Sequence, residues 1–505
     1  MADHYDVIVA GGGSSGCAIA ARMSEDPKRQ VLLLEAGPDP QPIPETVLDA
    51  EKSNQVLLQS PYIMMYPTRR NFDGSEFYSL AGRISGGGSS VNMMAIPRPI
   101  KADLDSWSAE GNPEWTWDKV LPVLIRMESD QDFPNSPIHG NSGPIYIKRK
   151  HLFDAPISAQ EHAMLEALSK LGVPRFEDQN IPNPHGVAPR AGNIKNGRRQ
   201  SAAVVYLEPA RARANLTIID EAQATSLILN GNKAQGLRYR KAGQECTAMS
   251  DKVVLSAGVY HSPQILMLSG IGPRAQLERH EIPVIHPLEG VGQNYQDHPM
   301  VTVTTKAKGN DAKLQLRGRS TLKIYYKSDP TRDTIDFHII PREVTHIAGV
   351  GDMTGFSCNL LEQTNRGRLS LASADPVDLP IIDPQVLEHP KDIQRMVTAM
   401  RFVQRLMNTE PLSQFCGELI SPSPDEDWKT FARSSYTSYY HGVGTCKMGP
   451  ASDPRSVVDQ KLAVHGMENL WVADASIMPT VTHANTNLTC MMIGERAADF
   501  IKAHS

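Results

Sequence analysis

Apolar runs of strand length, each ending in a small-residue turn and followed by a helical period, recur at the beginning, middle and end of the chain. Tyr5–Ala10 (YDVIVA) runs into a glycine-rich turn, a helix-like segment through Met23 and a second apolar run, QVLLLEAG, whose acidic residue is Glu35. Such alternation predicts strand, turn, helix and strand. The style returns in DKVVLSAG, Asp251 to Gly258, leading into a helix with Ile265, Leu266 and Leu268 that stops at Gly270. It returns again in LWVADA, Leu470 to Ala475, followed by a helix from Asn485 to Lys502 capped by Asn485, Thr486 or Asn487.

The intervening segments read differently. Pro38 to Tyr78 is rich in Pro, Asn and Ser without a sustained period, which predicts an irregular stretch wrapped over the surface. Trp107 to Met127 is helical with a break at Pro122, and Ala159 to Leu171 is a helix. Leu216 to Ile219, Ser226 to Leu229 and Gly236 to Tyr239 read as short strands with a turn at Asn230-Gly231. From about Val301 to Thr437 alternating runs (VTVTTKA, TIDFHIIP) precede helices at Ile393–Met407 and Trp428–Ala432, which predicts an antiparallel sheet with helices. The fold class is therefore α/β plus α+β.

Gly11, Gly13 and Gly16 have the G-x-G-x-x-G spacing. The first permits a tight turn, the second lets backbone approach a pyrophosphate, and the third lets helix pack on strand. Ser14 and Ser15 open the helix, where free N–H groups face phosphate. Glu35, with Ala36 beside it, stands where an acidic side chain bonds an adenosine ribose. The motif predicts a Rossmann-like dinucleotide site without choosing between FAD and NAD. A second glycine-serine turn, AGRISGGGSSVNMM from Ala81 to Met94, predicts another close approach of backbone to a ligand.

Length and composition narrow the classes. At 505 residues the chain predicts two or more domains. A net charge of -5 and the lack of any basic block argue against nucleic-acid and membrane-surface partners. The six cysteines are scattered singly with no metal-ligand spacing, so a reduced, cytoplasmic setting and no metal are expected. The first strand begins by Tyr5, which leaves no room for a leader, and no apolar run reaches membrane-span length.

Taken in order, these pieces resemble the glucose-methanol-choline (GMC) family of FAD-dependent oxidoreductases, collinearly over almost the whole chain. The resemblance rests on G-x-G-x-x-G with Glu35, on GRISGGGSSVN (Gly82 to Asn92) and on SAGVYHSPQILMLSGIG (Ser256 to Gly272). GVGQNYQDHP from Gly290, HGVGTCKMG from His441 and VADASIMPTVTHANTNL from Val472 complete it. It implies FAD rather than NAD. It also implies a discontinuous FAD-binding domain (1–150, 196–300 and 438–505) roofed by a substrate domain (151–195 and 301–437). Arg83, Gly87, Gly88, Ser89, Asn92, Met93, Ala257, Gly258, Asp474 and Ala475 would line the flavin, ribityl chain or pyrophosphate, with Ala224 at the adenine. Some relatives tether flavin through a His in the first signature; Val91 takes that place here, so FAD is expected to be non-covalent. Ser85 replaces a usual branched apolar residue, a local packing matter.

Removing hydride from an alcohol requires a base for the hydroxyl proton, and histidine is the natural one near neutral pH. With 16 histidines a count selects none, but His441 matches the family's catalytic His and Asn485 its second site position. Asn485 and Thr486 begin a helix whose positive end suits the flavin pyrimidine ring. His483 is expected to be exposed or supporting. Tyr439, Tyr440 and one of Phe337 or His338 are substrate-side candidates, Tyr440 foremost. The implied activity is oxidation of a primary alcohol, aromatic, furanic or pyridine-type, to the aldehyde with O2 as acceptor. A dehydrogenase with another acceptor and a hydroxynitrile lyase are the alternatives. Monomer and homodimer are both open.

Overall fold

The computed structural model describes residues 4–149, 158–308 and 320–504. The expected domain boundary at 150/151 lies outside them. A five-stranded parallel sheet forms from Val7–Ala10, Val31–Leu34, Leu216–Ile219, Val253–Leu255 and Leu470–Val472. Numbered along the chain, their order across the sheet is 3-2-1-4-5. The first two strands are buried at every position, as continuous apolar runs must be in a sheet covered on both faces. The order reverses between Val7–Ala10 and Val253–Leu255, so a crevice opens beyond their carboxyl ends, at Gly11 and Ala257.

Leu216–Ile219 belongs to this sheet, paired with Val31–Leu34, rather than to the hairpin that follows it. The hairpin itself comprises Ala222–Asn230 and Lys233–Lys241, with Gly231 at φ 60° in its turn.

Two expectations fail. Pro38 to Tyr78 is not irregular: it holds short helices at Glu45–Leu48 and Ser53–Gln59 and the first strand of a hairpin, Ile63–Arg69 with Glu76–Gly82. The inward positions of that strand include Thr68 as well as Tyr66, followed by Arg70 just beyond it, so its period of two is invisible to hydropathy. Pro122 does not break a helix. Lys101–Ala109 and Trp117–Met127 are separate helices joined through Pro113–Trp115, and Pro122 lies inside the second. There it forgoes one backbone bond, while Val120, Val123, Leu124 and Met127 hold the helix by their burial.

A second sheet runs Cys416–Ser421, Pro299–Ala307, Gly351–Leu360, Phe337–Ile347, Leu322–Tyr326 and Gly186–Pro189, with Thr437–Ser438 beside Pro299. Its pairings are antiparallel. One face presents Val187, Val301, Ile324, Phe337, Ile339 and Cys358 to helices Ala159–Lys170, Pro390–Met407 and Trp428–Ser435, forming a hydrophobic cluster of its own. The pleat turns Lys323, Tyr325 and His338 to the opposite face, Tyr325 and His338 being register partners. The larger cluster is built from the parallel sheet and its helices. It also takes in Leu369, Leu371 and Ile382 from within the 301–437 span, through strands Gly367–Ser370 and Ile381–Asp383.

Candidate active site

Three glycine loops converge at the crevice. Gly86 N donates to Gly12 O at 2.7 Å, and a Cβ on Gly87 would lie 2.8 Å from Gly13 Cα. A Cβ on Gly11 would lie 2.4 Å from Ser256 O, and one on Gly16 would lie 1.9 Å from Gly11 O. Those contacts leave no room for side chains. At Gly13, Gly88 and Gly258 a Cβ would meet no atom within 4 Å. These three stand at the starts of helices Ser14–Met23, Gly88–Val91 and Gly258–Leu268, none with a side-chain cap. Uncapped helix starts around an open space fit a diphosphate, with Gly258 N itself taken by Asp474.

Glu35 marks the other end. It accepts from Gly12 N at 2.8 Å and Gly37 N at 2.7 Å, and burial lifts its pKa to about 7 against those donors. Arg83 Nε donates to Ala36 O, and Ala222 N to Glu35 O, which sets Ala224 two residues along that strand. Asp474 accepts from Gly258 N, Ser262 Oγ and Ser476 N and so ties the turns at Ala257 and Ala475 together. Ser89 uses its hydroxyl internally, donating to Gly86 O and accepting from Ala202 N. Asn92 Oδ1 accepts from Arg199 Nη1 and Met94 N, leaving Met93 between them half-buried. Arg199, fully buried, also binds the carbonyls of Val47 and Ser89. Val91 packs with Val47, Val56 and Ile84.

The C-terminal helix Thr486–Ala503 returns to this cradle. Ser14 Oγ donates to Asn487 Oδ1 at 2.8 Å and Ser15 Oγ to Cys490 O at 2.7 Å. Gly494 allows the close crossing, since a Cβ there would lie 2.5 Å from Ser15 O. Asn485, the N-cap of this helix, makes no cap bond with its side chain. Instead its Nδ2 donates to His441 Nε2 at 3.1 Å, and its Oδ1 accepts from Lys323 Nζ at 3.0 Å. The amide orientation is thereby fixed, and His441 Nε2 must be an acceptor. The ring proton then lies on Nδ1, donated to His298 Nδ1 at 2.9 Å. Burial, His298 and Lys323 hold the His441 pKa well below its ordinary value. Burial and the charge of His483 push His298 down to about 3. Asp297 anchors both backbones, accepting from His298 N and His441 N, and Ser438 Oγ also donates to it.

The other candidates divide. Tyr439 sets its ring 4.3 Å from that of His441, centroid to centroid, whereas Tyr440, at φ 65°, is 36% exposed. His338 is fully buried on the face shared with Lys323, with neither ring nitrogen hydrogen-bonded among the described residues. Phe337 points the other way, into the hydrophobic cluster, and is withdrawn as a substrate contact; a strand cannot present neighbours to one face. His483 is not exposed: it bonds Asp103 through Nδ1 and Glu362 through Nε2. Burial would lower its pKa, but the two carboxylates hold it up at about 10.

Three groups at this site escaped the sequence. His298 lay inside the quoted GVGQNYQDHP, but nothing local distinguished it from the other histidines. Nothing in LKIYY or GRRQ sets Lys323 or Arg199 apart from other cations; only the sheet pairing and the fold of the second glycine turn bury them.

Sequence profiles of the GMC oxidoreductases match residues 5–300 and 363–494. This chain belongs to the GMC oxidoreductase family. Human mitochondrial choline dehydrogenase is 34% identical over 99% of the chain and 90% of the relative's length. The 5-(hydroxymethyl)furfural oxidase of Methylovorus sp. (strain MP688) is 32% identical over 98% of each. The crystal structure of pyridoxine 4-oxidase from Mesorbium loti superposes with a TM-score of 0.90 at 29% identity, covering 99% of this chain and 100% of the other. GMC oxidoreductases bind FAD and act on alcohols, and this one shares their fold. Among the described residues no helix is long and apolar enough to cross a membrane.

Proposed function

We propose that the protein is an oxidase of primary alcohols, with aromatic, furanic or pyridine-type alcohols as the leading class, holding FAD non-covalently. The observation that carries this reading is the pairing of a neutral His441 Nε2 with the Asn485 amide at the start of the helix that closes the glycine cradle. Gly13, Gly88, Gly258 and Glu35 would hold the dinucleotide, and Val91 offers no atom for a covalent tether. Bound FAD would supply the hydride acceptor and, by reaction with O2, hydrogen peroxide.

The chain's own groups do the rest. The alcohol hydroxyl replaces Asn485 at His441 Nε2, which accepts its proton. The freed Asn485 amide donates to the alcohol oxygen as negative charge grows there. Because His441 Nδ1 donates to His298, the tautomer with Nε2 free is the one maintained. Tyr439 supports the His441 ring and borders the substrate.

The likeness to choline dehydrogenase favours a second reading, electron transfer to an acceptor other than O2. One experiment separates the two: anaerobic mixing of the FAD-loaded protein with a panel of primary alcohols, then admission of air. Bleaching of the flavin and rapid recovery with peroxide is the expected result. Bleaching without recovery in air supports the dehydrogenase; no bleaching by any primary alcohol overturns both.

A further inference from the structure

Among the described residues Lys323 has no counter-charge. It is fully buried, its Nζ reaches one acceptor, Asn485 Oδ1, and no carboxylate among the described residues forms an ion pair with it. A buried ammonium without a carboxylate is costly, and burial together with Arg190 drives its pKa well below the ordinary lysine value. The groups around it are short of acceptors as well. On the same face of the sheet, His338 finds no partner for either ring nitrogen among the described residues. Beyond Tyr325, whose hydroxyl donates to Gln179 Oε1, the Gln179 amide nitrogen is also without a partner. Further out, Arg190 donates to Ser320 O, and its charge bears on Lys323 and Tyr439; Arg342 bears on Tyr439 and Tyr440. Neither arginine has a carboxylate partner among the described residues. The nearby carboxylates are committed elsewhere, Asp297 to Ser438 and the backbones of His298 and His441, Asp103 and Glu362 to His483.

We propose that Lys323 anchors an anion subsite, so that the alcohol oxidised here carries a carboxylate or similar oxyanion as well as its hydroxyl. This deepens, and rests on, the alcohol-oxidising reading above. A single amide, Asn485, bridges Lys323 and His441, so one small molecule can meet both. An oxyanion would satisfy the spare donors of Lys323 and favour its charged form. Arg190 and Arg342 would draw such a molecule in. A quaternary ammonium alcohol would meet the reverse: nearby cations and, among the described residues, no uncommitted carboxylate.

Two measurements on the FAD-loaded protein test this. The first needs no turnover: calorimetric titration with 4-methylbenzoate and with its neutral isostere 4-methylbenzamide. The carboxylate should bind the wild type roughly 10- to 100-fold more tightly, and Lys323→Met should abolish the difference. Equal binding of the two by the wild type overturns the proposal, whether or not the variant folds. The second compares kcat/KM for 4-(hydroxymethyl)benzoate and 4-(hydroxymethyl)benzamide. If Lys323 only props Asn485, Lys323→Met slows both substrates by the same factor and the ratio survives, which also overturns the proposal. If the carboxylate binds selectively but no alcohol bleaches the flavin, the anion subsite stands and the proposed oxidation falls.

Discussion

The loop carrying His441 and the loop carrying His483 use the same side chain under opposite fields. His441 faces another imidazole, an amide and a buried lysine; none of them favours a positive ring, and its pKa is pushed down. His483, two residues before Asn485, sits between Asp103 and Glu362 and stays protonated up to about 10. The first arrangement leaves a lone pair ready at neutral pH, which a base needs. The second makes a permanent cation tying Asp103, on helix Lys101–Ala109, to Glu362, which also pairs with Arg332 and Arg395. Proximity to a site does not make a histidine a base; the charges it faces decide.

The sharpest break in this comparison is His441→Ala, expected to lower kcat/KM by about 10²–10⁴-fold while the bound flavin spectrum is retained. His298→Leu removes the acceptor that fixes the tautomer. It should cost roughly tenfold in kcat, the worth of one hydrogen bond, and alter the pH profile, because Nδ1 loses its partner. The acid limb of the wild-type kcat/KM profile should lie below the ordinary histidine value of about 6.5, since the neutral form of His441 is favoured.

His483→Gln should reverse the weighting. Turnover changes little, but stability in denaturant falls by about 1.5–3 kcal/mol, as for loss of charged hydrogen bonds. The smallest and most diagnostic effect is in the pH dependence of stability. The folded-state pKa of His483 is raised, so its contribution is complete below about 6.5 and is lost as pH climbs to about 10. Wild-type melting temperature should decline across that window more steeply than that of His483→Gln; equal slopes would show that His483 is not charged.

The strand-turn-helix at the N-terminus was legible because its signal is local: apolar runs and three glycines at fixed spacing. The strand order was not, since Leu216–Ile219 reads the same whether it joins a hairpin or the parallel sheet. His441 and Asn485 were reached through family resemblance, and geometry then brought their side chains together. Tyr439 and Tyr440 are adjacent and chemically alike, so only the backbone turn at Tyr440, which leaves it exposed while Tyr439 packs on His441, tells them apart. His298 lies just before strand Pro299–Ala307 and Lys323 on strand Leu322–Tyr326, and they gain meaning only where the fold brings them to His441 and Asn485. Their roles are properties of contact, which a one-dimensional pattern does not carry.

The close crossing at Gly494, with the Ser14–Asn487 and Ser15–Cys490 bonds, joins residues more than 470 positions apart. A ribosome adding about 5–20 residues per second spends tens of seconds between making the glycine turn and making the helix that closes it. During that interval the nascent chain has its first βαβ segment but neither the Leu470–Val472 strand nor the Asn485 amide. Until both are made the glycine cradle is incomplete, and chains released before Asn485 lack the segment that closes it.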